Sequence, residues 1–169
     1  VNSINRQKKT IVLENGEEVG YEKLVLATGS TPKVPSWLKG ADMENIYTIP
    51  KNKVYLDEMK DKLENAQKVV TIGAGFIGVE MSDELQKAGK DVTLVEKLPN
   101  ILGVAFDEEI ATKAEDILKE QGIHIHAGKG VKEITGANGK ADSVILEDGQ
   151  KLEADAIILA MGYDPNSKL

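Results

Sequence analysis

The sequence predicts an α/β fold with a parallel sheet, and three observations lead to that class. Short apolar runs at residues 69–72 and 156–160 lead to glycine, as strands buried on both faces do. Segments with apolar residues at helical spacing separate these runs. The dipeptides at residues 15–16 and 148–149, Asn-Gly and Asp-Gly, signal hairpins because these residue types tolerate positive φ.

The first predicted elements alternate between helix and strand. A surface helix over residues 52–65 comes before a buried strand at 69–72. A helix over residues 77–87 follows and ends at Gly89, since glycine adopts the left-handed conformation that closes a helix. The next strand covers residues 92–95.

The later predicted elements are one more helix and strand, followed by strands alone. A helix begins near Asp107 and runs to residue 121. Its predicted apolar face consists of Ile110, Ala114, Ile117 and Leu118. A strand over residues 123–127, a three-strand meander over 131–153 and a final buried strand at 156–160 complete the set. The order β-α-β-α-β is that of one half of a doubly wound sheet, here with a meander as crossover.

Residues 10–32 and 143–165 are two copies of one pattern at a constant offset of 133 residues. Each copy has a strand, a turn that ends in glycine, a second strand, an apolar run and a final glycine. The first copy therefore predicts a buried strand over residues 24–27. Only the second copy follows an opening strand and glycine-rich loop, so we expect the opening of the first roughly 60 residues before Val1.

This repeat predicts a chain that is divided between two domains. Residues 1–50 are predicted to be the tail of a first domain plus a linker, and residues 51–162 nearly all of a second. Residues 163–169 would begin the return to the first domain. Three prolines within residues 31–50 predict that this linker forms no regular element.

Composition and charge exclude several classes of protein. The chain has 28 acidic and 21 basic side chains, and its formal charge of −7 argues against a nucleic-acid partner. It contains no cysteine, which excludes disulfides, thiolate metal sites and a cysteine nucleophile. Without a membrane-length apolar run or a signal peptide, we expect a soluble cytoplasmic protein. His124 and His126 share a strand face without a third ligand, so no metal site is expected.

The sequence Gly73-Ala-Gly-Phe-Ile-Gly78 is a G-x-G-x-x-G motif between a predicted strand and a predicted helix. Gly73 permits a tight turn, Gly75 lets a pyrophosphate approach the backbone, and Gly78 lets the helix pack closely on the strand. Ile77 lies at the start of the helix, where amide groups face the phosphates. This context predicts a dinucleotide-binding site.

An acidic residue is expected at the end of the strand that follows such a motif. Glu96 lies there, 23 residues after Gly73. Its carboxylate can accept hydrogen bonds from both hydroxyls of the adenosine ribose and would repel a 2′-phosphate. NAD(H) is therefore favoured over NADP(H), although Lys97 next to it weakens that preference.

Four segments together resemble the NAD-binding domain of the flavin-dependent pyridine nucleotide–disulfide oxidoreductases. They are LATGSTP at 26–32, GAGFIGVE at 73–80, VTLVE at 92–96 and LAMGYDPN at 159–166. The resemblance implies a Rossmann-like three-layer FAD/NAD(P)-binding fold, a parallel sheet with a β-meander crossover. The branch with NADH oxidases, NADH peroxidases and coenzyme A–disulfide reductases looks most similar, and ferredoxin- and nitrite-reductase types stay open.

The same resemblance implies roles for residues around the glycine motif. Phe76 matches an aromatic gate that lies over the flavin until the nicotinamide displaces it. Glu80 would contact or position the nicotinamide end, and Ala160 and Gly162 would line the nicotinamide channel.

The resemblance also assigns the predicted domains. Residues 1–50 would be the tail piece of an FAD domain plus a linker, with Thr28 and Gly29 near FAD in the intact enzyme. Residues 51–162 would be the NAD(H)-binding domain, and residues 163–169 would return to the FAD domain. NADH bound there would pass a hydride to FAD.

Several family features are absent from these residues, namely two FAD motifs and the redox cysteine of many members. The chain is therefore expected to bind NAD(H), to hold FAD poorly and to contain no catalytic residue. Its expected partners are the small-molecule dinucleotide and the missing FAD and C-terminal domains. Exposed strand edges in such a fragment also favour a homodimer. The terminal electron acceptor stays open.

Two other functions are compatible with part of the pattern. A non-catalytic NAD(H)-binding sensor would use the same glycine loop without hydride transfer. It would not need the tail of a second domain, which the repeat at offset 133 indicates. A structural domain with an empty loop is disfavoured by Glu96 and by the strand–loop–helix context.

Overall fold

The structure is a computed structural model in which residues 1–168 are described. The chain forms two compact units. The smaller combines Val1–Thr31 with the segment that starts at Asp164, and the larger is Pro32–Tyr163. Leu169, the last residue of the predicted segment 163–169, lies outside the described residues.

The smaller unit contains a three-stranded antiparallel sheet and the start of a short fourth strand. The strands are β1 (Ser3–Asn5), β2 (Thr10–Val12), β3 (Glu18–Gly20) and β4 (Ser30–Pro32). β2 lies between β1 and β3. None of the described side chains of this unit is buried, so the apolar core of the protein belongs to the larger unit.

The larger unit alternates strands with helices, as the sequence predicts. Its first elements are β5 (Ile46–Thr48), α1 (Lys53–Leu63), β6 (Lys68–Ile72), α2 (Phe76–Lys87), β7 (Asp91–Val95), α3 (Glu108–Glu120) and β8 (His124–His126). Asn52 and Asp107 cap α1 and α3 with their side chains, and Gly89 follows α2 with a φ of 81°. Across the described residues, no helix combines the length and apolar character that crossing a membrane requires.

A three-stranded antiparallel meander connects β8 to the last strand of the main sheet. It consists of β9 (Val131–Ala137), β10 (Lys140–Leu146) and β11 (Lys151–Glu153), and β12 (Ala156–Leu159) follows. The main sheet has the order β5-β12-β6-β7-β8, with every pair parallel. The predicted α/β fold with a parallel sheet and a meander crossover is therefore confirmed.

The main sheet is buried on both faces, which makes the larger unit a three-layer structure. Successive strand residues point to opposite faces. On one face the core contains Val69, Leu94 and Ile158 with Met59, Leu85 and Leu118 from the helices. On the other it contains Val70, Ile72 and Leu159 with Ile134, Val144 and Leu146 from the meander. Each such fully buried side chain contributes about 1.5–3 kcal/mol to stability.

The repeat predicted from the sequence is present in the two hairpin turns. Gly16 N donates to Leu13 O and Gly149 N donates to Leu146 O, each over 3.0 Å. Both glycines have positive φ, 83° and 87°. The equivalence is interrupted at the two apolar runs that follow the hairpins, because these runs adopt different structures. It resumes at Gly29 and Gly162, which both have positive φ and each precede a short strand.

The predicted buried strand over residues 24–27 is wrong. These residues form no strand, and the side chains of Val25 and Leu26 are 85% and 59% exposed. Their counterpart in the second copy is β12, which lies between β5 and β6. Among the described residues no strand pairs with residues 24–27. A strand needs neighbours for its amide and carbonyl groups, and apolar composition does not supply them.

The expectation that residues 31–50 form no regular element is also wrong. β5 lies within this segment, between Pro35 and Pro50, and forms one edge of the main sheet. Prolines that flank a short edge strand remove no hydrogen bond from the ladder. At the other end of the chain, β13 (Tyr163–Pro165) pairs with β4.

The predicted apolar face of α3 is only partly buried. Leu118 is buried and Ala114 is half-buried, but Ile110 and Ile117 are 49% and 56% exposed. Ala111, which the periodicity did not select, is fully buried. The buried face of the helix therefore consists of Ala111, Ala114 and Leu118, without the two isoleucines.

Candidate dinucleotide-binding site

A pocket of about 270 Å³ lies where strands β6, β7 and β12 reach their carboxyl ends. Five of the predicted site residues line it, namely Gly73, Gly75, Glu96, Lys97 and Ala160. Carboxyl ends of parallel strands lie on one edge of a sheet, which is where open α/β sheets bind ligands. The topology therefore brings together residues that are far apart in the sequence.

The three motif glycines occupy three different environments. Gly73 has a φ of 98°, and a Cβ there would lie 2.5 Å from the Ala160 carbonyl oxygen. A Cβ at Gly78 would lie 1.8 Å from the Gly73 carbonyl oxygen, so the helix could not pack as it does. At Gly75 a Cβ would meet nothing within 4 Å. Gly75 is thus the glycine that leaves space beside the backbone for a ligand.

Helix α2 starts at this open space. Gly75 is its N-cap residue, and no side chain caps the helix among the described residues. The first amide groups of a helix have no partner within the helix, and the helix dipole favours an anion near them. The start of α2 therefore has the features of a phosphate site.

Glu96 is fixed against the glycine loop by backbone hydrogen bonds. Its Oε2 accepts from Ala74 N over 2.7 Å, and its Oε1 accepts from Leu98 N over 2.8 Å. Each carboxylate oxygen has a further lone pair, so both remain able to accept from a ligand hydroxyl. The half-buried carboxylate is thus held at one position on the edge of the pocket.

The loop between β7 and α3 also contacts the glycine loop. Leu102 N donates to Ala74 O over 2.8 Å, and Leu102 has a φ of 55°, which is uncommon for a bulky residue. Leu98 in the same loop holds Glu96. Because this loop contacts the glycine turn at Ala74 and also the Glu96 carboxylate, it fixes the distance between the turn and the carboxylate.

Two lysines and a glutamate, Lys97, Lys129 and Glu147, line the pocket together with Glu96. Lys97 Nζ lies 3.9 Å from Glu147 Oε1. Lys129, which follows β8, forms an ion pair with Asp148. The hydrogen bond from Lys129, followed by one from the backbone of Gln150, lowers the pKa of Asp148. Both lysines near the carboxylate are therefore paired with acids of the β10–β11 turn.

Phe76 and Glu80 lie in a different place, a shallow groove of about 420 Å³ between α2 and α3. The Phe76 side chain is 61% exposed, and its ring packs edge-on against Phe106 with centroids 5.8 Å apart. The structure therefore does not place these two residues in the pocket that Glu96 lines. Neither the pocket nor this groove is lined by Ile77, Gly78 or Gly162.

Thr28 and Gly29 belong to the smaller unit, where Asn166 connects them. Asn166 Nδ2 donates to Thr28 O over 3.0 Å, and Asn166 N donates to Gly29 O over 3.0 Å. Asn166 Oδ1 accepts from the Thr31 hydroxyl over 2.8 Å. Asn166 thus joins the first and last segments of this unit.

The pocket is also lined by residues that sequence reasoning missed, among them Trp37, Lys129, Gly130, Glu147 and Met161. Lys129 and Gly130 lie in the short connection between β8 and β9, and Met161 lies two residues after β12. The rule that ligands bind at the carboxyl ends of strands could have found these three. Glu147 comes from a hairpin turn and Trp37 from an irregular segment, so neither had a signal in the sequence.

These features define the class of protein. A parallel sheet, a tight glycine turn before a helix and a carboxylate after the next strand form a Rossmann-like dinucleotide-binding fold. The family model described as pyridine nucleotide-disulphide oxidoreductase matches residues 1–169. The chain therefore belongs to the pyridine nucleotide-disulphide oxidoreductase family.

Similar proteins are longer than this chain. An NADH oxidase from Enterococcus faecalis is 35% identical over 175 residues, and the match covers 100% of this chain and 39% of that protein. The structure of a ferredoxin reductase from Rhodopseudomonas palustris has a TM-score of 0.89 at 28% identity, over 97% of this chain and 40% of that one.

A water-forming NADH oxidase from Lactobacillus brevis, solved bound to NADH, has a TM-score of 0.81 at 27% identity. That match covers 97% of this chain and 37% of the oxidase. The chain thus spans less than half the length of each of these three relatives.

Proposed function

We propose that this chain is the NAD(H)-binding module of a flavin-dependent NADH oxidoreductase. In that role it binds the dinucleotide at the carboxyl edge of the main sheet and presents the nicotinamide to FAD held elsewhere in the enzyme. The chemistry that the cofactors supply is hydride transfer from the nicotinamide to the flavin. The residues of this chain bind and orient the dinucleotide.

The position of Glu96 is the observation that carries this proposal. Its carboxylate is anchored to the glycine loop through Ala74 N, so an anion-binding helix start and a ribose-binding carboxylate have a fixed separation. A pyrophosphate beside Gly75 would be attached to an adenosine whose ribose hydroxyls reach Glu96. A structural domain without a ligand has no need for this combination of open space, uncapped helix and anchored carboxylate.

The other site residues divide between the two ends of the dinucleotide. Gly73, Gly75, Ile77 and Gly78 form the turn and helix start that hold the pyrophosphate. Lys97 lies beside Glu96 at the adenosine end.

The nicotinamide end is assigned to residues on the other side of the turn. Ala160 and Gly162 follow β12 and would line the nicotinamide channel. Phe76 and Glu80 lie on the first turns of α2, where they would contact the nicotinamide or the flavin.

The two structural units fit a chain that contributes to two domains. The proposal assigns the smaller unit, with Thr28 and Gly29, to an FAD domain whose other parts lie outside these residues. The larger unit corresponds to the NAD(H)-binding domain. The exposed apolar residues 24–27 support this assignment, because their counterparts in β12 are buried between two strands.

The test is a titration of the full chain with NADH. Trp37 is the chain's one tryptophan and lines the pocket, so its fluorescence reports binding directly. The Gly75→Val variant fills the open space without backbone strain, since Gly75 has an extended conformation with φ −74°. We expect it to fold normally and to bind NADH at least tenfold more weakly.

Gly20→Val is the matched control, because Gly20 also has open space around a would-be Cβ but lies in β3, outside the pocket. It should bind NADH as the wild type does. Unchanged affinity in Gly75→Val, or no binding of NADH by the wild type, would contradict the proposal.

A further inference from the structure

The two lysines of the pocket are both paired with acidic residues of one hairpin turn. Lys97 contacts Glu147, and Lys129 contacts Asp148. The turn between β10 and β11 is close to the backbone of the pocket, because Glu147 N donates to Gly130 O over 2.8 Å. A Cβ at Gly130 would lie 2.3 Å from the Glu147 carboxyl carbon. The Glu147 carboxylate therefore packs directly on the pocket wall.

Unpaired lysines at this place would favour a phosphorylated ribose. NADP(H) differs from NAD(H) by a phosphate on the 2′-oxygen of the adenosine ribose, and ammonium groups are common phosphate ligands. With Glu147 and Asp148 present, the charges of both lysines are offset and Glu96 adds a further negative charge. The edge of the pocket is then unfavourable for a dianionic group.

We propose that Glu147 and Asp148 are specificity-determining residues that make this site select NAD(H) over NADP(H). This inference rests on the proposed function, which places the adenosine ribose at Glu96. The Glu96 carboxylate itself repels a 2′-phosphate. The turn acts differently, because its acids pair with Lys97 and Lys129 and keep them from binding a 2′-phosphate. Selectivity is therefore shared between a strand end and a hairpin that is about 50 residues away along the chain.

Both acids can be neutralised with little change in shape. Asp148 Oδ1 accepts from Gln150 N over 3.0 Å, and in the first hairpin Asn15 Oδ1 accepts from Glu17 N over 3.1 Å. Asn thus forms the same turn contact within this chain. Glu147→Gln keeps the length of the side chain and removes only its charge.

The experiment compares NADH and NADPH dissociation constants for the wild type and the Glu147→Gln/Asp148→Asn variant, measured by Trp37 fluorescence. We expect the affinity for NADPH to rise about fivefold relative to that for NADH, from the Coulomb energy of a phosphate near two removed charges. This relative gain for NADPH should be smaller at high ionic strength, because salt screens the partly exposed side chains of the two ion pairs. Adenosine 2′,5′-bisphosphate compared with adenosine 5′-monophosphate should give the same ratio without the nicotinamide.

The matched control is Asp57→Asn/Glu153→Gln, which changes the net charge equally. Asp57 and Glu153 are paired with Lys53 and Lys68 on the surface and do not line the pocket. An unchanged NADPH/NADH ratio in the Glu147→Gln/Asp148→Asn variant, or an equal change in the control, would overturn this inference and leave the proposed function intact. A wild type that binds neither dinucleotide would overturn the proposed function, and this inference with it.

Discussion

At the residue scale, the glycine motif combines a proposed binding role, at Gly75, with a packing role, at Gly78. A side chain at Gly75 would extend into open space, whereas a side chain at Gly78 would overlap the Gly73 carbonyl oxygen. The sequence predicts both glycines equally well from their spacing. Only the surroundings show which of them can be replaced without loss of the fold.

Gly78→Ala is expected to destabilise the protein by about 3 kcal/mol or more, because the new methyl group overlaps backbone that cannot move independently. Gly75→Ala should change the free energy of unfolding by less than about 1 kcal/mol. Urea unfolding followed by circular dichroism measures both values. Similar losses of stability in the two variants would contradict this distinction.

Glu96→Ala is expected to affect both binding and stability. It should weaken NADH binding and raise the relative affinity for NADPH, because the ribose loses an acceptor and a 2′-phosphate loses a repelling charge. It also leaves the amides of Ala74 and Leu98 without their acceptor, at a cost of about 1–3 kcal/mol. Dinucleotide titration and urea unfolding test the two effects separately, and an unchanged NADPH/NADH ratio would place the ribose elsewhere.

At the scale of elements, the sequence predicts secondary structure best where one periodicity of apolar residues extends over a whole segment. The three helices and the strands β6, β7, β8 and β12 follow to within two residues from helical spacing, capping residues, glycines and apolar runs. The α3 face was predicted less well, because Ile110 and Ile117 have helical spacing but remain exposed. The spacing of apolar residues predicts that a helix forms. The rotation of the helix about its own axis depends on the surface against which it packs.

The start of β6 depends on a carboxylate outside the strand. Asp155 Oδ2 accepts from Lys68 N over 2.8 Å and from Gln67 N over 2.9 Å. These backbone hydrogen bonds, that of Lys68 first, lower the pKa of Asp155 below its usual value. The ionised Asp155 carboxylate therefore stabilises the fold fully above its unfolded-state pKa of about 4. This contribution is lost as the pH falls through the lower folded-state pKa.

Asp155→Asn should accordingly destabilise the protein by about 1 kcal/mol at pH 7 and by less as the pH approaches 3. Urea unfolding of both proteins from pH 7 to pH 3 measures this difference. A difference that stays constant over that range would mean that the charge of Asp155 does not stabilise the strand.

At the scale of the whole molecule, the two units differ in how much they bury. All the buried side chains among the described residues belong to the larger unit, while the smaller one exposes the apolar residues 24–27. The sequence could not predict this difference, because the runs at 24–27 and 156–160 have nearly the same composition. What separates them is the presence of neighbouring strands, which is a property of the assembled sheet.

The exposed run should make the isolated chain self-associate. Val25→Lys/Leu26→Lys is expected to reduce association and to change the free energy of unfolding by no more than about 0.5 kcal/mol. Sedimentation velocity over a range of concentrations measures this. Val54→Lys/Val104→Lys alters two other exposed apolar residues as a control, and an equal effect of both pairs would mean that residues 24–27 have no special role.

Some parts of the site are predictable from the sequence and others are not, because only some of its residues are brought together by one continuous segment. Gly73, Gly75 and Glu96 belong to one continuous strand–helix–strand segment, so their spacing in the sequence indicates their function. Glu147 reaches the pocket only because the meander crosses back over the sheet, and that placement requires the tertiary structure. The sequence therefore predicts a dinucleotide site, and the structure adds the charges that we propose select NAD(H).

The most direct test of the central claim is an NMR titration of the ¹⁵N-labelled chain with NADH. We predict the largest amide shifts at Ala74, Gly75 and Ile77 around the glycine loop, and at Leu98, whose N–H binds Glu96. Amides of β1, β2 and β3 should stay unchanged. Shifts confined to the smaller unit, or no shifts at saturating NADH, would contradict the assignment of this pocket as the dinucleotide site.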